Sequence, residues 1–119
     1  MRKFVSLAGM LGALTLVVAG PAYAHAKLTA AVPAADATVA APREIVLRFN
    51  EKMVGGFSGF DLISAGGEKV AVKTSLGKDG MSMVGVPARP LTKGVYKVAW
   101  HAVTADSHRM QGDFSFTVR

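Results

Sequence analysis

The sequence predicts an all-β fold, an antiparallel β-sandwich or Greek-key barrel of about seven strands. Apolar and polar residues alternate in short runs, and no run in the mature part of the chain shows the 3.6-residue apolar period of an amphipathic helix. Glycine, proline and aspartate residues that favour turns separate these runs. Short alternating strands joined by tight turns are typical of all-β domains.

The strands are predicted where apolar residues recur at every second position. In the run 44–49, Ile45, Leu47 and Phe49 fall on one face, so this strand has one side in the core. The predicted strands, in chain order, are residues 28–32, 44–49, 57–63, 70–74, 81–86, 95–103 and 113–118. The alanine-rich stretch 32–41 is interpreted as a loop that contains at most one turn of helix.

The amino-terminal 24 residues are predicted to be a secretory signal peptide. Two basic residues precede an apolar stretch over residues 4–20, and Ala-Tyr-Ala at 22–24 supplies an A-x-A cleavage site. The stretch is too short and too close to that site for a membrane span. Of the 119 residues, 95 remain as a single mature domain, 25–119, which we expect to be soluble.

Composition excludes several classes of function. The chain has no cysteine, which rules out thiolate metal sites and a thiol nucleophile. Of 14 basic and 8 acidic residues, the signal peptide holds two basic ones, so the mature domain carries +4. The remaining basic residues are scattered singly, so we expect no nucleic-acid partner.

His25 becomes the first residue of the mature protein if cleavage follows Ala24. Its α-amino nitrogen and its ring Nδ1 can then chelate one metal ion, and such nitrogen donors suit Cu(II). The alternative is that His25 is a polar residue at a frayed terminus. Lys27 occupies the third mature position, so the common amino-terminal copper motif with histidine there is absent.

Asp106 and His108 are the second candidate donors. Residues two apart on an extended segment point the same way, so both side chains can approach one ion. Alternatively, Asp106 accepts the proton of the His108 ring and fixes its tautomer. A polar turn before the last strand is the simpler explanation for Asp-x-His alone, but His25 makes a joint metal site the better one.

Other polar and sulfur-bearing residues are weaker candidates. His101 is expected on the strand face opposite Trp100, at the surface. Glu51 follows the strand 44–49 and joins the site only if the fold brings this corner to the amino terminus. Met81 and Met83 lack a neighbouring histidine, so we interpret them as core residues rather than Cu(I) ligands.

The sequence resembles the CopC family of periplasmic copper-resistance proteins over nearly all of the mature chain. The most specific block is the order W-x-A-V-x-x-D-x-H, which runs from Trp100 to His108 before the terminal strand. The other matching blocks are His25-Ala26-Lys27-Leu28, Val32-Pro33-Ala34-Ala35-Asp36, Ala41-Pro42, Leu47-Arg48-Phe49-Asn50-Glu51, Phe57-Ser58-Gly59, residues 90–98 and residues 112–116.

The resemblance implies a small Greek-key β-barrel, immunoglobulin-like or cupredoxin-like, that binds one Cu(II) ion in the periplasm. It implies His25, Asp106 and His108 as metal ligands, with Glu51 close to the metal, either directly or through water. It further implies a monomeric carrier rather than an enzyme, with a separate inner-membrane copper transport protein as a partner.

Members of this family with a Cu(I) site carry a Met- and His-rich insertion after the third predicted strand. This chain has Ser64-Ala65-Gly66-Gly67-Glu68 there, so we expect no Cu(I) site.

Two other functions stay open at this point. A histidine-brace copper monooxygenase also uses an amino-terminal histidine, but 95 residues offer little flat surface for a polymer and Asp106 would crowd the oxygen position. The other is a structural β-sandwich module without a metal. Copper titration followed by an oxygen-consumption assay separates these functions from a copper carrier.

Overall fold

Nine β-strands and a short 3₁₀ helix, Gly55–Phe57, form residues 27–119, the part of the chain that the computed structural model describes. The predicted signal peptide and His25 lie outside these residues. The strands are β1 (Leu28–Val32), β2 (Thr38–Val39), β3 (Ile45–Phe49), β4 (Gly59–Ser64), β5 (Lys69–Val70), β6 (Val72–Leu76), β7 (Ser82–Pro87), β8 (Gly94–Val103) and β9 (Arg109–Val118).

The strands form two sheets that pack face to face. One sheet has the order β1-β3-β7-β6 and the other the order β2-β9-β8-β4-β5. All pairs are antiparallel except β2 with β9, which is parallel. The chain passes repeatedly from one sheet to the other, as in Greek-key sandwiches. The predicted all-β, mainly antiparallel sandwich is therefore confirmed.

The core lies between the two sheets and is built from the predicted alternating residues. Ile45, Leu47 and Phe49 of β3 are at most 2% exposed. The ring of Phe49 packs edge-on against Trp100 of β8, with 5.1 Å between the ring centroids. Burial of such side chains is the main stabilising term in a small domain, and it compensates here for the missing disulfides.

Strand β9 begins four residues earlier than the predicted strand 113–118. The prediction was too short because Gly112 was interpreted as part of a turn. Gly112 lies opposite Trp100 in the ladder with β8. A Cβ atom at Gly112 would stand 2.7 Å from Cζ2 of Trp100, so the indole ring needs the space of the missing side chain. The glycine marks a close approach inside the strand rather than its end.

The predicted strand 70–74 is wrong as one strand, because it divides between the two sheets. β5 pairs with β4, whereas β6 pairs with β7. The chain crosses the edge of the sandwich at Ala71, whose carbonyl accepts a bond from the Ala88 N–H at 2.9 Å. Val70 and Val72 both pack against the core, so the apolar alternation continues from one strand to the next. The sequence pattern therefore gives no sign that the chain changes sheets at Ala71.

The stretch 32–41 contains a short strand, β2, instead of a turn of helix. Asp36 adopts a positive φ of 64°, and its N–H donates to the Ser115 carbonyl at 2.7 Å. Two-residue strands with no apolar alternation give no periodic signal, so the sequence did not predict it.

Among residues 27–119, no helix is long and apolar enough to cross a membrane.

Candidate metal centre

The candidate centre is built on the loop that joins β8 to β9. Thr104 donates its backbone N–H to the His108 carbonyl at 3.0 Å, and Ser107 donates to the Thr104 carbonyl at 2.9 Å. Ser107 takes a left-handed φ of 72°, which reverses the chain between the two strands. The loop is thus a closed turn that presents Asp106 and His108 on the outside.

Three side chains of this loop form a continuous hydrogen-bonded chain. The buried Thr104 hydroxyl donates to Oδ1 of Asp106, and Oδ2 of Asp106 lies 2.9 Å from Nδ1 of His108. The backbone N–H of His108 also points to Oδ1, at 3.3 Å. The Thr104 hydroxyl, with these bonds from His108, holds the pKa of Asp106 below its ordinary value. Asp106 is therefore a carboxylate at neutral pH, so Nδ1 of His108 carries the proton between them.

The Nδ1–Oδ2 separation is that of an ordinary hydrogen bond, and it is also compatible with two adjacent ligands of one metal ion. Imidazole nitrogen and carboxylate oxygen bind transition metals at about 2.0 Å, so two donors at right angles lie about 2.8 Å apart. The observed 2.9 Å lets a metal ion take the place of the shared proton. The same contact also suits the other arrangement, in which Asp106 keeps the Nδ1 proton and Nε2 faces the metal.

The Asp106–His108 pair is accessible from solvent. The side chain of His108 is 51% exposed and that of Asp106 is 58% exposed. An ion can reach this position without movement of the core. Exposed donors of this kind suit the exchange of an ion better than its permanent burial.

The segment after β3 links this loop to the amino-terminal end of the described chain. Asn50 accepts the N–H of Lys27 on its Oδ1 at 2.7 Å and donates its own N–H to the Lys27 carbonyl at 3.2 Å. Three residues later, Met53 pairs with Thr104 in an isolated antiparallel bridge. Lys27 and the Asp106–His108 loop are therefore joined through one short segment.

Glu51 lies in this linking segment and is half-buried. The two bonds between Asn50 and Lys27 place its corner beside the first residue that the structure describes. Within residues 27–119, however, no group of three or more histidine and acidic side chains is placed to hold a metal ion. The pair in the described loop needs a further donor, and His25 lies outside the described residues.

His101 and Met83 lie where the sequence predicted, whereas Met81 does not. His101 is exposed on the outer face of β8, where Gly59 lies opposite it. Met83 is fully buried in the core and Met81 is partly buried. These positions agree with a surface histidine and with Met83 as a core residue, whereas Met81 lies outside the buried core cluster.

The segment after β4, where the resemblance places a Met- and His-rich insertion in some family members, is a tight hairpin turn. Ser64 donates its N–H to the Glu68 carbonyl at 2.8 Å, and Gly67 has a φ of 88°. This turn joins β4 directly to β5.

Sequence reasoning missed Thr104 and Asn50. Thr104 stands two residues before Asp106, the spacing at which hydroxyl and carboxylate side chains often bond within a turn. Asn50 directly follows β3, where polar side chains can bond to the backbone in place of the strand ladder. Both signals are local and common, so they became meaningful only with the contacts in view.

Comparison with known proteins gives one consistent result. A family model described as the CopC domain matches residues 28–119. Copper resistance protein C of Escherichia coli is 41% identical over a match that covers 92% of this chain and 94% of that protein. Copper resistance protein C of Pseudomonas syringae pv. tomato is 40% identical, covering 98% and 95%.

A solved structure has the same fold. The crystal structure of PcoC, a methionine-rich copper resistance protein from Escherichia coli, superposes with a TM-score of 0.75 at 42% identity. The superposition covers 81% of this chain and all of that one. The similarity to copper resistance proteins therefore extends from the sequence to the β-sandwich fold.

Proposed function

Because the chain belongs to the CopC family, we propose that it is a periplasmic protein that binds one Cu(II) ion and carries it in copper resistance. The observation that supports this most directly is the Nδ1–Oδ2 pair of His108 and Asp106, at the separation of two adjacent metal ligands. The relatives named above are copper resistance proteins, which gives the identity of the metal.

The proposed ligands are the α-amino nitrogen and ring nitrogen of His25, together with His108 and Asp106. Three nitrogens and one carboxylate oxygen fill a square plane, the arrangement that Cu(II) prefers. Two residues of chain span about 7 Å at most, so the bonds that hold Lys27 at Asn50 limit how far His25 can stand from this corner.

Asp106 contributes both a donor atom and a negative charge in this proposal. Its ionised state needs no assistance from the metal, because the Thr104 hydroxyl already favours the carboxylate. Copper then displaces a proton from the terminal amine, and it binds one ring nitrogen of His108 while the other ring nitrogen carries the proton. We place the Glu51 carboxylate beside the plane of four donors, where it offsets part of the charge of Cu(II) directly or through water.

We propose a carrier rather than an enzyme, since four protein donors leave no position in the plane for oxygen. The absence of a Cu(I) site also belongs to the proposal, because the tight turn 64–68 replaces the Met- and His-rich insertion. The signal peptide delivers the protein to the periplasm. There a monomer passes its ion to a separate inner-membrane copper transport protein.

A Cu(II) titration of the mature protein with two histidine variants tests this function. His108→Ala removes a ligand and should weaken Cu(II) binding at least 100-fold, since no described histidine is placed to replace it. His101→Ala is the matched control, because it removes an exposed histidine from the same strand pair outside the site and should bind as the wild type does. Equal affinity in all three proteins would refute the proposed site.

An oxygen-consumption assay with a reductant tests the non-catalytic part separately. A carrier should bind copper without turnover on a polysaccharide. Sustained oxygen consumption that depends on such a substrate would contradict it.

A further inference from the structure

We infer that Asn50 is a positioning residue that orients the amino-terminal copper ligand, an inference that rests on the proposed function. Asn50 holds both peptide groups of Lys27, one through its side chain and one through its backbone. It does not itself contact the ion. It acts through Lys27 on His25, which stands two residues earlier in the chain.

The geometry departs from an ordinary antiparallel ladder in a specific way. Leu28 pairs with Phe49, so the next pair in the same register is Lys27 with Asn50. In a hydrogen-bonded pair of a regular antiparallel ladder, the two residues exchange two backbone hydrogen bonds. Here Asn50 gives its N–H to the Lys27 carbonyl as expected, but the Lys27 N–H goes to the side-chain oxygen of Asn50.

This replacement allows Asn50 to pair with Lys27 while the main chain turns away after β3. The side-chain oxygen of Asn50 holds β1, so the backbone carbonyl of Asn50 is not needed for pairing with Lys27. The main chain is then able to turn after β3 toward Met53, which pairs with Thr104 of the Asp106–His108 loop. One residue therefore sets the directions of both chain segments that meet at the proposed site.

The bond to the Lys27 N–H bears directly on the amino terminus. That N–H belongs to the peptide unit that joins Lys27 to residue 26, and a peptide unit is planar. Holding the N–H therefore restrains the peptide group through which Lys27 joins the preceding chain. In the proposed role, a restraint at Lys27 reduces the conformational freedom that the terminal ligand loses when it binds the metal, and this strengthens binding.

The experiment compares Cu(II) affinities of mature proteins that begin at His25. Asn50→Ala removes the acceptor and should weaken Cu(II) binding about 3- to 10-fold, the effect of one net hydrogen bond. Asn50→Asp keeps an oxygen acceptor in the same place and should restore affinity to within about threefold, with an unchanged electron paramagnetic resonance spectrum.

Thr29→Val is the matched control. The Thr29 hydroxyl donates to the Arg48 carbonyl at 3.2 Å, so this variant removes a side-chain bond between the same two strands, farther from the terminus. It should bind Cu(II) like the wild type. Asn50 is exposed, so the alanine variant should fold, and thermal unfolding of the apo-proteins checks this.

An added residue before His25 separates positioning from general destabilisation. If Asn50 acts by directing the terminal ligand, Asn50→Ala should have no further effect in a protein whose terminal chelate is already broken by that extension. An equal loss in both backgrounds, or no loss in the mature protein, would overturn the role of Asn50. Failure of the proposed function would look different, because the wild type itself would then bind no Cu(II).

Discussion

Replacement of Asp106 by asparagine tests how the carboxylate of the Asp106–His108 loop contributes to copper binding. The change preserves size, and the remaining Oδ1 can still accept the Thr104 hydroxyl bond. It removes one negative charge and places either an amide oxygen or an NH₂ group opposite Nδ1 of His108. An NH₂ group in that position would donate to Nδ1, so the ring would carry its proton on Nε2 instead.

The expected loss of affinity depends on which role Asp106 has. A carboxylate that only orients His108 accounts for about 10- to 100-fold. A carboxylate that is itself a ligand adds the loss of a donor and of its charge at the metal. The 2.9 Å contact between Nδ1 and Oδ2 fits both roles. Because the proposed site uses Asp106 as a ligand, we expect a loss of more than about 100-fold.

The assay is a competitive Cu(II) titration at pH 7 combined with electron paramagnetic resonance. The nitrogen count should stay unchanged while the parameters that report the net charge of the ligands shift. Asp79→Asn is the matched control, because Asp79 is also exposed and its pKa is also lowered, first by the bond from the Met81 N–H. That control should change affinity by less than about threefold, since an exposed charge that is not a metal ligand is screened by salt. Wild-type affinity in Asp106→Asn would refute the reasoning.

Three further outcomes are expected. Thr104→Val should raise the pKa of Asp106 toward its ordinary value in an NMR titration, and an unchanged pKa would contradict the role of Thr104. The lowered pKa stabilises the fold at pH values above the ordinary pKa, and this stabilisation is lost as the pH falls through the folded-state pKa. The variant lacks this stabilisation, so it should unfold at a higher pH during acid titration. Replacing Met81 and Met83 by leucine should leave Cu(I) affinity unchanged and alter unfolding free energy by less than about 1.5 kcal/mol, whereas a large loss of Cu(I) binding would reveal a thioether site. Gly112→Ala should destabilise the fold by about 1–3 kcal/mol in denaturant titration, because its Cβ would stand 2.7 Å from an indole carbon; an unchanged midpoint would mean that the indole moves freely.

The sandwich could be predicted because its core strands follow the simple rule of alternation. Ile45, Leu47 and Phe49 signal a half-buried strand whatever surrounds them, and all three are buried. The crossing at Ala71 could not be predicted, since a strand that changes sheets keeps the same alternation. Likewise Gly112 resembles a turn residue until the ring of Trp100 is placed over it.

The candidate site also contains residues that the sequence predicted and residues that only the structure revealed. Asp106 and His108 were found from local spacing, and they are in contact. The supporting roles of Thr104 and Asn50 depend on contacts across the fold, because Thr104 gains its meaning from its burial and Asn50 from the position of Lys27. No local pattern distinguishes them from ordinary turn residues.

The proposed copper site depends most on the terminal amine of His25 as a ligand. The direct measurement is a Cu(II) titration of the mature protein beside a form with one alanine added before His25, both followed by electron paramagnetic resonance. The extension leaves residues 27–119 unchanged but converts the amine into an amide, which binds copper only after losing its proton. We predict a loss of at least 100-fold in affinity and a different spectrum. Equal affinity and identical spectra for the two proteins would contradict the proposed copper site.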